Sequence, residues 1–341
     1  MNIVTLGIDL AKNIFALHGV DQTGRAVLMK SRVARDQLLS LVASVPPCLI
    51  GMEACSGAHH WARLFRQYGH TVKLIAPKFV TPYRMSGKHG KNDAADAAAI
   101  CEAVTRAHMR FVPIKEEHQQ IILCLHRTRQ GFVEERTATY NRLRGLISEL
   151  GIVLPQKVTG LRQSIGKHLD ELPGYANRCV ADLLTHADQL DERIAEYDKA
   201  ITQAAREDAR SKRLMQRRGI GPITASALLA SIGNGHDFKN GRQVAAWIGL
   251  TPGQHSSGGK ARLGHITKAG DSYLRSLLVM GARAVLNSIG DRQDYFSCWA
   301  RELVARRGYW RAVVAIAAKN ARIAWAVLKY GEDFRLNKCA A

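Results

Sequence analysis

Three short apolar runs rich in β-branched residues open the chain, at Ile3–Asp9, Ile14–Val20 and Ala26–Val33. Asp21, Gln22, Thr23 and Gly24 separate the last two, and such residues favour a tight hairpin turn. Leu38, Leu39, Leu41 and Val42 then follow at helical spacing, closed by Pro46 and Pro47. Cys48–Met52 reads as a buried strand, His59–Tyr68 as a helix stopped by Gly69, and Val72–Ala76 as a strand ended by Pro77. From Asn92 the run DAADAAAICEAV is helical, with Asn92 as its N-cap. A meander followed by alternating helices and strands predicts an α/β domain with a mixed sheet over residues 1–112.

The rest of the chain carries helical periodicity. Leu183, Ala187, Leu190, Ile194, Tyr197, Ile201 and Ala204 repeat at alternating spacings of four and three, the seam of a coiled coil. Ile122, Leu125, Phe132, Leu143, Leu146 and Leu150 form a weaker seam, interrupted by Arg129 and Arg136. These helices of residues 113–212 are expected to pair with each other or with a second subunit. Residues 213–341 form a helical C-terminal domain, opening with RRGIGPITASALLASIG. Its Arg217, Arg218, Gly219 and Gly221 are consistent with a helix-hairpin-helix whose turn offers backbone N–H groups to phosphate. A plain helix start with Pro222 in its first turn is the alternative.

Charge locates the partners. The chain has 341 residues and a formal net charge of +20. Residues 1–110 carry +7, residues 111–212 carry 0 and residues 213–341 carry +13. Two basic modules around a neutral spacer point to a polyanion such as nucleic acid, gripped hardest by the C-terminal module. The seven cysteines form no CxxC pair, which argues against a zinc ribbon or disulfide scaffold and fits a reducing compartment. No signal peptide or membrane span is read: the longest charge-free stretch, Gly219–His236, contains four glycines and a proline. The expectation is a cytoplasmic, nucleoid-associated protein.

Four acids stand out in the first domain. Asp9 ends the first strand in LGIDLAK and Glu53 ends the fourth in IGMEACSG. Acids after apolar strands are costly unless they bind something. Asp93 and Asp96 lie three apart in a first helical turn and share a face. An all-oxygen set suits Mg2+, and a pair of ions can clamp the attacking and leaving oxygens of a phosphodiester. Helix-dipole and surface roles explain each acid singly, but not all four together. Lys88 and Lys91, just upstream of Asp93, are placed to hold a DNA backbone near the metal.

In the last domain, His255–Arg262 is a hydroxyl platform flanked by cations: Ser256, Ser257, two glycines, Lys260 and Arg262, with Lys268 and Arg275 downstream. Such a field could stabilise a serine alkoxide for attack on phosphorus. On chemistry alone, a phosphate-binding loop is the stronger reading.

These motifs carry a resemblance. The Asp, Glu and D-x-x-D arrangement resembles the RuvC-like, ribonuclease H-type nuclease fold. GIDLAK, GMEACSGAHHWARLF, GKNDAADAAAICEAV and AAWIGLTPGQHSSGGKARLGHITKAGDSYLRSLLVMGARAVL resemble the DEDD transposases of the bacterial insertion-sequence family numbered one hundred and ten, eleven-eleven subgroup. The likeness spans Ile8 to about Leu286 and is weakest in the helical middle. It implies a DNA transposase that cuts and rejoins strands, with Asp9, Glu53, Asp93 and Asp96 holding Mg2+ and Ser257 as nucleophile. It further implies a site shared between the serine domain of one subunit and the carboxylate domain of another. It also implies a noncoding bridge RNA that pairs with target and donor DNA. A homo-oligomer through the helical middle is expected.

Two rival functions are a metal-dependent, resolvase-like nuclease that uses water, and a non-catalytic nucleic-acid scaffold. Among other residues, His59 and His60 read as capping or surface groups that could approach the metal site, since Glu53 is close in sequence. Cys55 and Cys101 read as small apolar packing groups. Trp299, Trp310 and Trp325 fall on helical faces, where core packing is expected.

Overall fold

The computed structural model describes residues 2–84 and 92–333. They form two compact units, Met1–Glu117 and His118–Ala341. The boundary expected after residue 112 falls close to this division. The boundary expected after residue 212 lies inside the second unit.

The first unit is built on a six-stranded sheet. Its strands are β1 (Thr5–Asp9), β2 (Ile14–Val20), β3 (Ala26–Ala34), β4 (Leu49–Glu53), β5 (Thr71–Ile75) and β6 (Phe111–Val112), in the order β3-β2-β1-β4-β5-β6. The β1–β2 and β2–β3 pairs are antiparallel, β1–β4 and β4–β5 parallel, and β5–β6 antiparallel. The Asp21 turn is held as expected, with Asp21 Oδ1 accepting from the N–H groups of Thr23 and Arg25. Only β6, two residues long, was not expected from the sequence.

Helices α1 (Arg35–Ala43), α2 (Ala58–Gln67), α3 (Pro77–Val80) and α4 (Asp93–Val104) complete the unit. In one core, Leu6, Ile8, Phe15, Ile50, Met52 and Leu74 pack with Leu38 of α1 and Trp61 and Phe65 of α2. A separate cluster joins Ile75 and Val80 to Ala99, Ile100, Ala103 and Val104 of α4. Helix α4 lies unusually close to the sheet. A Cβ on Gly7 would stand 2.2 Å from the Ala97 carbonyl oxygen, and one on Gly51 would stand 2.8 Å from Val104 Cβ. Two glycines in adjacent strands thus form a saddle that lets the alanine-rich helix seat against β1 and β4.

The second unit is helical except for one hairpin. Its elements are α5 (Glu117–Ser148), α6 (Val158–His168), α7 (Tyr175–Glu207), α8 (Ala209–Met215), α9 (Pro222–Ile232), α10 (Gly241–Trp247), β7 (Pro252–Gln254), β8 (Leu263–Ile266), α11 (Ser272–Asn287), α12 (Tyr295–Arg307) and α13 (Tyr309–Tyr330). The expected seams of α5 and α7 meet within the chain. Phe132 contacts Tyr197 edge to face, and Arg129 and Arg136 bond Asp198 and Asp191 across the pair, each at 2.5 Å. The arginines that break the α5 seam are therefore its ionic rungs. Leu146 and Leu150, expected in that seam, are exposed, while Leu143 and Ile147 are buried. The register shifts by one position there because the last turns of α5 pack with Leu161 and Ile165 of α6.

A larger core joins α8 to α13 around Leu228, Val244, Leu278, Val313 and Ile316. Gln119, at the start of α5, donates to the Ala230 carbonyl of α9, tying the long helices to this core. Buried His126 bridges Tyr273 of α11 and Ser226 of α9, at 3.0 and 3.1 Å. Among the described residues, no helix is long and apolar enough to cross a membrane.

Candidate active site

Sheet topology gathers the four acids. Because β1 and β4 are parallel neighbours, Asp9 and Glu53 emerge from the same edge of the sheet. Helix α4 starts beside them: Asn92 caps it through Oδ1, 2.8 Å from the Ala95 N–H, placing Asp93 and Asp96 in its first turn. Asp96 is buried and Asp93 exposed. Burial and the charges of Asp96, Asp93 and Glu53 push the Asp9 carboxyl up to about 6, with partial relief from Arg84. That response requires all four acids to share one electrostatic environment.

Sequence reasoning missed Arg84. It follows the turn Thr81–Tyr83, and its Nε lies 2.7 Å from Asp96 Oδ1 while Nη2 donates to Glu53 Oε1 at 3.5 Å. The Asp96 contact is ionic: neither Arg84 Nε nor Asp96 Oδ1 makes a directed hydrogen bond, although both atoms are buried. Among the described residues, no three His, Cys, Asp or Glu side chains close around a single ion. Arg84 stands among the acids. The donor set is nonetheless all oxygen, one buried carboxylate oxygen lacks a directed partner, and like charges crowd Asp9. These residues fit a hard divalent cation. The only sequence signal for Arg84 was a single cation following an apolar strand–turn segment.

The histidines after Glu53 make contacts of their own. His59 Nδ1 accepts from the Lys115 N–H at 3.1 Å, and His60 packs edge-on to Trp61. Cys101 is buried as expected, and burial pushes its thiol up to about 11. Cys55 is exposed, a correction to its expected packing role: it leaves the strand in the turn before α2. Lys88 and Lys91 lie outside the described residues.

The serine loop is a two-stranded hairpin. Ser257 and Lys260 pair across its tip, with Gly258 and Gly259 between them at φ values of 55° and 74°. Consecutive left-handed residues make the primed turn that matches strand twist, and glycine occupies both without strain. The two serines differ. Ser256 Oγ accepts from Gln254 Nε2 at 2.8 Å and from the Arg262 N–H at 3.2 Å. Ser257 is exposed at the tip, and its hydroxyl bonds to no described residue. Lys260 and Arg262 are exposed on the same hairpin.

The hairpin rests on a close backbone crossing. A Cβ on Gly249 would lie 2.4 Å from Ala269 N, and one on Gly270 would lie 2.0 Å from the Trp247 carbonyl oxygen. Lys268, at this crossing, is the one described non-glycine residue with positive φ, and it is exposed. Arg275 donates to the carbonyls of Ile248 and Ala269 at 2.8 and 3.0 Å, so its guanidinium braces the loop from within.

At the Gly-Ile-Gly turn, Arg217 is 2% exposed, donates to Asn320 Oδ1 at 2.9 Å and lies 3.8 Å above the Phe296 ring. Burial and the adjacent Arg218 lower it to about 10. Arg218 pairs with Asp294 at 2.5 Å. Both cations anchor the turn inside the fold. Gly219 takes φ +83° where a Cβ would press on the Gly281 carbonyl of α11.

Comparison with known proteins places these units. Residues 6–152 match a transposase family model of the DEDD IS110 type, and residues 211–297 match the model described as Transposase IS116/IS110/IS902 family. A probable family 20 transposase of Pseudomonas aeruginosa is 44% identical, over 98% of this chain and 99% of that protein. The transposase for insertion sequence element IS1111A of Coxiella burnetii is 40% identical, over 98% of this chain and 92% of its own length. The transposase for element IS1328 of Yersinia enterocolitica is 38% identical over 98% of this chain. With the acids gathered at one sheet edge and the serine on a separate hairpin, the chain belongs to the IS116/IS110/IS902 family of transposases.

Proposed function

We propose that this transposase cuts and rejoins DNA strands with Ser257 as the nucleophile and Asp9, Glu53, Asp93 and Asp96 as the metal-holding set. The observation that carries the serine assignment is the contrast at the hairpin tip: Ser256 is committed to two internal hydrogen bonds, whereas Ser257 is exposed and uncommitted. A nucleophile must leave its oxygen available to the substrate, and only Ser257 does so.

In the step we propose, Ser257 Oγ bonds to a DNA phosphorus as the phosphorus–oxygen bond to the departing strand breaks. The serine proton is lost, and the departing deoxyribose oxygen gains one. The phosphodiester becomes a phosphoserine ester, so the bond is conserved and an incoming strand hydroxyl can reverse the exchange without an external energy source. Lys260, Arg262 and Lys268 lie on or beside the hairpin and would bind the flanking phosphates. When bound between the acids, one or a pair of Mg2+ ions would supply Lewis-acid stabilisation of developing oxyanion charge. Arg84 supplies positive charge to the acids until then. The family resemblance adds a site composed from two subunits and guidance by the element's own noncoding RNA.

The experiment is covalent trapping. Wild-type protein incubated with element-end DNA and Mg2+ should give a protein–DNA adduct resistant to denaturant. Ser257→Ala should abolish it, and Ser256→Ala should retain it. Cleavage by Ser257→Ala without an adduct would establish the water-using nuclease instead.

A further inference from the structure

Trp310 was expected to pack in the core. It is 64% exposed. Its neighbours Ala312, Val313 and Ile316 are buried, so α13 is pinned to the core and the indole is held outside it. The Arg283 guanidinium of α11 lies 5.5 Å from the Trp310 ring centroid, and Tyr309 meets the same ring edge-on at 5.4 Å. Tyr309 is in turn fixed by its hydroxyl, 3.2 Å from Asn287 Oδ1. Met280, 58% exposed, accepts from Arg283 and extends the platform. Arg306, Arg307 and Arg311 are exposed on either side of Gly308, and neither α11 nor α13 contains an acid.

We infer that this surface binds single-stranded DNA, with an unpaired base stacked on Trp310 and its phosphates held by Arg283, Arg307 and Arg311. Four features select that ligand. A rigid exposed indole presents a face that any base can stack on. Arginine beside such a ring adds cation–π attraction and is a phosphate donor. The absence of acids on both helices favours a polyanion. Bases inside a duplex have both faces occupied by neighbours, so the platform suits a strand opened or released during exchange. Single-stranded RNA shares the chemistry and is the competing outcome. The inference rests on the proposed function only in taking DNA as the ligand. Binding measured in chelator needs no cleavage and is read apart from adduct formation.

The test uses the full chain and fluorescently labelled oligothymidylate of about 20 nucleotides, longer than most single-strand footprints. A matched duplex and oligouridylate run alongside, across a range of KCl. Trp310→Ala should weaken oligothymidylate binding by about 5- to 150-fold, the range for loss of one stacked base. It should leave the salt slope and the duplex affinity unchanged. Trp310→Phe, which keeps a ring, should recover most of the loss, and this separates stacking from misfolding. Arg307→Gln should instead reduce the salt slope by about 0.7, one phosphate's share on a single strand. Unchanged oligothymidylate affinity in Trp310→Ala would overturn the proposal. So would an equal loss on duplex, or a loss confined to oligouridylate.

Discussion

Replacing Gly7 with alanine tests whether the glycine saddle positions the acidic site. The added Cβ would lie 2.2 Å from Ala97 O, 2.5 Å from Cys101 N and 2.8 Å from Cys101 Cβ. Two of those atoms are helix backbone and cannot rotate aside. Restoring ordinary contact distances requires α4 to lift by roughly 1 Å, and such overpacking costs about 1–3 kcal/mol. The same lift carries Asp93 and Asp96 away from Asp9 and Glu53, and a 1 Å misplacement of catalytic groups costs on the order of 100-fold in rate. In chelator, the melting transition of the first unit should fall by about 4–12 °C. Strand exchange should fall further than the lost stability explains, and added Mg2+ should raise the transition less than in wild type. Gly131, exposed in α5 with nothing within 4 Å of a Cβ, is the control: alanine there should stabilise by about 0.5–1 kcal/mol. A Gly7→Ala protein that melts and exchanges strands like wild type would refute the saddle argument.

Further outcomes follow from the electrostatics and the buried network. Removing Arg84, as Arg84→Gln, should lower first-unit stability in chelator, and Mg2+ should restore more of it than it adds to wild type; equal metal responses in thermal melts would contradict a counter-cation role. Asp9 is raised from 3.8 to about 6, so the folded state holds a proton the unfolded chain releases, and first-unit stability falls as pH rises through that window. Asp9→Asn should therefore stabilise the metal-free protein by about 1–2 kcal/mol at pH 7.5, the full shift being discounted for partial exposure, with no gain near pH 4. His126 runs the opposite way. Facing Ser226, Tyr273 and Arg129, with Asp271 nearby, it is lowered from 6.5 to about 4, so second-unit stability is lost as pH falls through that interval. Segment-resolved hydrogen exchange at pH 7, 5.5 and 4.5 would detect these opposite trends. Asn320→Leu removes the acceptor of Arg217 Nε and the donor to the Arg218 carbonyl and should cost about 2–3 kcal/mol in urea unfolding; a loss below about 0.5 kcal/mol would contradict that network.

What the sequence discloses follows the range of the forces involved. Strands β1 to β5 and helix α4 are readable because apolar period, turn residues and an N-cap are local signals. The acids are readable because a carboxylate directly after a buried strand is costly unless used. Ser257 and Ser256 could not be separated locally, since the difference lies in hydrogen bonds from Gln254 and from the returning strand at Arg262. Arg129 and Arg136 read as breaks in a seam until their partners on α7, more than fifty residues away, were placed. Arg217 looked like a phosphate ligand because it sits beside a glycine turn. Its partners Phe296 and Asn320 are distant in sequence, and they turn it into a buried anchor. Trp310 failed in the opposite sense: helical spacing marks a face, but the partner packed against that face decides whether it is covered.

The two halves of the proposed chemistry are held in complementary states of readiness. Helix α4, which carries Asp93 and Asp96, is seated on Gly7 and Gly51, yet the charges of the acids oppose one another, and Arg84 offsets them in part. Ser257 is sterically free, yet no described side chain hydrogen-bonds its hydroxyl as a base would. A metal held by the acids would take over the charge that Arg84 supplies. In the proposed chemistry, a phosphate bound to such a metal would give a serine alkoxide the field it needs. On the proposed chemistry, such a chain would gain activity only on assembly with DNA and metal. That restraint has a physical source, since a serine with a preformed base would be a nucleophile towards any phosphodiester that met the hairpin's exposed cations.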